Sequence, residues 1–135
     1  MMIHHIGIAT NNLKELKKEY LNKGYKEINE TYDDTQMAFL CLLQSEKDCI
    51  ELIYTNDTKS PVFNICSKNY NKRYHICYVV KDIRESIKEY QNNGYLLFKK
   101  ITYAPLLKTN ICFLYKSGEE VIELMEEVND ESAHI

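Results

Sequence analysis

The chain has 135 residues, 44% of them hydrophobic, with 17 Lys and Arg against 20 Asp and Glu and a formal net charge of -3. That length and apolar content suit one domain burying its own core, and the weakly acidic balance gives no electrostatic footprint for nucleic acid. No apolar run approaches the roughly 18 residues of a membrane span, and MMIHHIGIAT lacks the basic flank of an export signal, so a cytoplasmic protein is expected. Cys41, Cys49, Cys66, Cys77 and Cys112 are odd in number and show no CxxC spacing, which fits a reducing compartment and core thiols rather than a disulfide framework.

In chain order, residues 3 to 10 alternate as a strand, and Asn12 then caps a helix with Glu15 three positions on, in capping-box spacing. The apolar stripe of that helix is Leu13, Leu16, Tyr20 and Leu21, and Gly24 supplies its left-handed stop. Extended runs follow at about 25–32, 36–43 and 48–55, with a turn at 45–48. From Tyr54 to Tyr74 the chain reads as a connection in which Ser60-Pro61 opens a short helix. The pattern then recurs: a strand from His75, a cap at Asp82 with Glu85, a helix with Ile83, Ile87 and Tyr90, a stop at Gly94, and runs at about 95–102, 109–115 and 120–126.

This recurrence is visible residue by residue. HIGIATNNLKELKKEYLNKGY from His5 lies over HICYVVKDIRESIKEYQNNGY from His75 without a gap, with nine identities in 21 positions, and CIELI at 49–53 lies over VIELM at 121–125. Unrelated segments would share roughly one or two, so the chain reads as a duplicated half-domain. The expected fold is α+β: two tandem βαβββ modules, about 1–55 and about 74–127, joined by a linker at about 56–73, followed by a tail at 128–135, and forming a curved mixed sheet around a metal-binding cleft.

Strand alternation sorts the candidate ligands by face. His5 shares its side with Gly7 and Ala9, and His75 with Cys77 and Val79. Glu51 and Glu123 lie opposite Ile50, Leu52, Ile122 and Leu124, whose side is the natural one for helix packing. Each half thus offers one His and one Glu on the concave side. His5, Glu51, His75 and Glu123 form a mixed N/O donor set suited to one divalent ion such as Zn, Ni, Co or Mn. His4 is second choice, because the ungapped repeat pairs His5 with His75 and a one-residue slip would put the ligand on the other face.

HHIGIAT, IEL at 50–52, YHICYVV and VIELME, in this order, resemble the vicinal oxygen chelate superfamily of glyoxalases, bleomycin-resistance proteins and dioxygenases. IELIYTNDTKSPVFNICSK followed by YHICYVV is most similar to the methylmalonyl-CoA epimerase branch, with Thr55 in place of that branch's first proline. The four ligand positions and the chain length look equally like glyoxalase I (lactoylglutathione lyase), although its D-P-x-G element is here Lys116-Ser117-Gly118. Glu51 argues against the two-His, one-carboxylate iron site of the extradiol dioxygenases.

The resemblance implies a metal-dependent isomerase, epimerase or lyase. Such an enzyme abstracts a proton next to a carbonyl of a small substrate and passes through a metal-stabilised enediolate or enolate. By resemblance Glu123 is the base, and Asp33, less securely Asp34, the second acid/base; turn propensity alone reads Asp33-Asp34 as a polar turn. Arg73 and Arg84 are the available bidentate anion binders, Arg73 near the ligand strand and Arg84 on a helix surface. The other class left open is a metal-free small-molecule binding or resistance protein. No nucleic-acid or membrane partner is expected. The halves can pair within one chain or across a homodimer, both of which occur among the proteins it resembles.

Overall fold

The computed structural model of the chain describes residues 2–68 and 71–128. Apart from Val128, the expected tail lies outside the described residues. The fold is mixed α+β, and its elements run β-α-β-β-β twice with a short helix between the two sets. Residues 5–74 form one compact unit. Residues 75–128, with residues 2–4, form the other.

The first unit contains β1 (Met2–Ala9) from His5 on, α1 (Leu13–Asn22), β2 (Lys26–Asp33), β3 (Ala38–Gln44), β4 (Cys49–Tyr54) and α2 (Phe63–Lys68). Its strands lie in the order β2-β3-β4-β1, with β1 and β4 parallel and the other pairs antiparallel. The expected helix-packed face is the observed one: Leu16 of α1 joins Cys41, Leu43, Ile50 and Leu52 in a buried cluster, with Ile8, Leu13, Tyr20 and Tyr25 against it. Leu21 differs from expectation at 41% exposure. It follows Tyr20 by one residue and so points about 100° around the helix from it.

In the second unit β5 (Lys72–Val80, from His75 on), α3 (Ile83–Asn92), β6 (Leu96–Ala104), β7 (Thr109–Tyr115) and β8 (Val121–Glu126) give the strand order β5-β8-β7-β6. Here β5 and β8 are the parallel pair. Ile83 and Ile87 of α3 are buried, as are Ile76, Cys112, Leu114, Ile122 and Leu124 of the sheet.

Both helices begin and end by the same chemistry. Asn12 accepts from the Glu15 amide at 3.2 Å and Asp82 from the Glu85 amide at 3.1 Å, satisfying a first-turn N–H that the helix leaves over. At the other end Gly24 (φ +98°) and Gly94 (φ +91°) take the left-handed conformation. The amides of Tyr25 and Tyr95 then reach back to the carbonyls of Tyr20 and Tyr90, each at 3.1 Å. The same closure sets Tyr20 edge-on to Tyr25 and Tyr90 edge-on to Tyr95, both with centroids 5.0 Å apart.

The connecting segment, as far as described, folds onto the first unit. Ser60 donates to the Gln36 carbonyl at 2.5 Å and accepts from the Val62 amide, the Thr55 hydroxyl donates to the Met37 carbonyl, and Thr10 donates to Asn71. Val62 and Cys66 are buried. The helix expected after Ser60-Pro61 begins at Phe63. Among the described residues no helix is long and apolar enough to cross a membrane.

Candidate metal ligands in each unit

In the first unit the parallel register of β1 and β4 sets Gly7 beside Glu51. His5 sits two residues before Gly7 on the same face, about 6.6 Å along the strand, so its ring meets the carboxylate on the diagonal. His5 Nε2 and Glu51 Oε2 are 3.6 Å apart, and both side chains are essentially out of solvent. In the second unit the same register recurs. Cys77 is beside Glu123, and His75 Nε2 lies 2.9 Å from Glu123 Oε1, again with both side chains buried.

These spacings suit a shared ion within each pair. Two donors about 2.1 Å from one cation, at angles between a right angle and the tetrahedral one, are about 3.0 to 3.5 Å apart. The observed 3.6 and 2.9 Å lie next to that range. Buried imidazole with buried carboxylate is also the donor chemistry of zinc, nickel, cobalt and manganese sites. His4 is only half-buried whereas His5 is buried, so the strand turns His5 and not its neighbour inward.

Asp33 closes β2 and is buried. Its Oδ1 accepts from the Thr35 amide (2.9 Å), the Thr35 hydroxyl (2.7 Å) and the Gln36 amide (3.3 Å), and its Oδ2 from Gln36 Nε2 (3.1 Å). Burial pushes this carboxyl up, but the Thr35 and Gln36 hydrogen bonds together outweigh it and hold the group below the usual aspartate range. These bonds build the turn that carries the chain to Met37, at φ +50°. Asp34 is exposed beside it, and Arg73 and Arg84 are both exposed.

All five cysteines are buried and unbridged. Burial pushes the Cys41, Cys49 and Cys112 thiols up to about 12, which keeps them protonated and poorly nucleophilic. A cavity of about 800 Å³ lies on the helix side of the first unit, beside Leu13, Lys14, Phe39 and Tyr54. It shares no residue with the His–Glu pair.

Sequence reasoning missed a group of side chains in the second unit. Phe113, in register with Glu123, meets His75 edge-on with centroids 5.4 Å apart. Phe98 stacks on Phe113 at 5.8 Å, and Lys99 Nζ lies 5.9 Å from the Phe113 centroid. Setting the edge strands of the two halves side by side would have flagged them, because Phe98 and Lys99 stand where the first half has Ile28 and Asn29.

The sequence model of the Glyoxalase/Bleomycin resistance protein/Dioxygenase superfamily matches residues 4–113. The protein belongs to this family, which is the vicinal oxygen chelate group its motifs resemble. The match contains His5, Glu51 and His75 and stops short of Glu123, whose assignment rests on the internal repeat. No curated protein matches the sequence. Among solved structures, methylmalonyl-CoA epimerase from Mycobacterium tuberculosis superposes with a TM-score of 0.84 at 21% identity, covering 98% of this chain and 91% of that one. A hypothetical protein from Bacillus halodurans gives 0.82 at 23% identity, with 95% of each chain covered. The Streptomyces coelicolor epimerase in complex with 2-nitronate-propionyl-CoA gives 0.81 at 18%, covering 95% of this chain and 98% of that one. At these identities the likeness is one of fold.

Proposed function

We propose that His5, Glu51, His75 and Glu123 together hold one divalent ion, and that the protein is an epimerase-type enzyme moving a proton on a carbon next to a carbonyl. The observation that carries this reading is the buried His–Glu pair formed at the same register in each unit. Two buried acid–imidazole pairs are costly to keep in an apolar sheet unless they bind something. When bound, a divalent ion draws electron density from substrate oxygens and acidifies the neighbouring C–H.

The protein supplies the base. By the family resemblance Glu123 is our candidate for that role, accepting the proton from carbon. Inversion of configuration also needs an acid on the opposite side of the carbon, and Asp33 is our candidate. Its carboxylate would exchange the Thr35 and Gln36 hydrogen bonds for substrate during turnover. The epimerase branch is preferred because the family's fold neighbours include epimerases bound to an acyl-CoA analogue. That the two modules and their linker work as a single domain is part of the same proposal.

Incubating the protein with methylmalonyl-CoA in D₂O, and separately with methylglyoxal plus glutathione, tests the reading. The expected result is deuterium incorporation at the carbon between the two carbonyls of methylmalonyl-CoA, abolished in Glu123→Gln. Asp33→Asn should keep exchange from one epimer while losing inversion. Turnover of the glutathione adduct alone would assign the lyase reaction instead. No exchange with either substrate, together with ligand-induced stabilisation that chelator leaves unchanged, would favour a metal-free binding protein.

A further inference from the structure

The second unit carries a feature that its duplicated partner lacks. Along one row of its sheet Glu123 is in register with Phe113, and Phe113 with Lys99. In the first unit the same row reads Glu51, Leu42, Asn29. Both edge strands shift register at the same place, between Glu27 and Asn29 and between Leu97 and Lys99. Such a bulge breaks the alternation of faces and re-aims the residues at it.

In the second unit that re-aiming brings two consecutive residues to one ring: Phe98 stacks on Phe113 and the Lys99 ammonium stands near the same face system. Phe98 is 53% exposed despite this stacking. The shift before Lys99 has a counterpart in the first half, while a further one between Lys99 and Thr102 does not, and the aromatic and cationic residues at this place are not shared. They are Ile28, Asn29 and Leu42 in one half and Phe98, Lys99 and Phe113 in the other.

We propose that Lys99, Phe98 and Phe113 form the specificity wall beside the His75–Glu123 pair, binding a substrate that carries a negatively charged group next to its reacting carbon. This rests on the proposed function for the identity of the reacting centre. Neighbouring strands are about 4.8 Å apart, so the Lys99 backbone is about 10 Å from that of Glu123, and a lysine side chain spans much of that gap. A small carboxylate held between them meets the ammonium at one end and Glu123 at the other. The aromatic faces of Phe98 and Phe113 take the apolar part of the molecule. A cation over an aromatic surface, partly shielded from water, binds an anion more strongly than one in open solvent. Because only one half has this wall, the otherwise repeated pairs become inequivalent and the substrate can be oriented.

Calorimetric titration of the full-length protein with malonate, and with dimethyl malonate as its uncharged counterpart, tests the assignment before and after chelator treatment. Lys99→Met should weaken malonate about tenfold while leaving dimethyl malonate within about twofold. Lys99→Arg should restore malonate binding, Phe98→Ala should weaken both probes, and Asn29→Ala, at the matching register of the first unit, should change neither. The proposal is overturned if the wild type binds no malonate, if Lys99→Met leaves it unchanged, if both probes weaken together in Lys99→Met, or if Asn29→Ala has the same effect. The readout is binding, so a protein that shows the Lys99 effect but no bound metal would sink the enzyme reading and leave the wall intact.

Discussion

In the first unit Glu51 shares its row of the sheet with Leu42 and Asn29, while in the second Glu123 shares the matching row with Phe113 and Lys99. The helix sides differ as well. Lys17 of α1 pairs with Glu27, and with Glu30 at 3.3 Å, where the second half has Ile87, Leu97 and Lys100. What the halves share is the buried His–Glu diagonal, the capping residues, the tyrosine pairs and the glycine stops. The shared set builds the module and its donor atoms; the divergent set surrounds them and distinguishes one side from the other.

The largest stability effect expected from probing this contrast is at the residues flanking the two glutamates. Phe113→Ala should cost about 3 to 5 kcal/mol and Leu42→Ala about 2 to 5 kcal/mol in denaturant unfolding, since both side chains are buried. If the proposed ion binds, its affinity should fall more in Phe113→Ala, because the ring also meets His75 edge-on. Equal metal affinities in the two variants would remove that distinction.

The Asp33 side chain organises its turn, whereas the second unit's turn at Ala104 to Lys108 closes through the Leu107 and Lys108 amides donating to the Ala104 carbonyl. Asp33→Ala should cost about 1 to 3 kcal/mol. Because its folded carboxyl is held below the ordinary range, its contribution is full above the unfolded value of about 3.9 and disappears as pH falls through the folded value. The wild-type minus Asp33→Ala stability difference should therefore shrink on acidification; a difference independent of pH would contradict the assignment.

Smaller still, Gly24→Ala and Gly94→Ala should each cost about 1 kcal/mol, alike in both halves, since both residues hold positive φ. Melting temperatures of the two variants check that equality. Lys17→Met should change stability by less than about 1 kcal/mol, with the difference fading in high salt, as its ion pairs lie near the surface.

Much of this architecture is legible in the sequence because its signals are local and written twice. The strand period of two put His5 and not His4 on the inner face, and capping residues with glycine stops bounded both helices to within a residue or two. Other features depend on contacts between distant segments. The bulges at Ile28 and Phe98 break the alternation on which strand reading relies. Ser60, Thr55 and Cys66 tie the connecting segment to carbonyls of Gln36, Met37 and Ile53, and none of these pairings has a spacing signature. Asp33-Asp34 reads as a turn from composition, but the four bonds to Asp33 show only once Thr35 and Gln36 fold back.

The most direct test of the account is the metal content of protein purified without chelators, measured by elemental analysis beside His5→Ala and His75→Ala. One divalent ion per chain in the wild type, lost from both variants, is the result expected if the two His–Glu pairs serve a single ion. Two ions per chain, one ion surviving in either variant, or no metal in any preparation would contradict it.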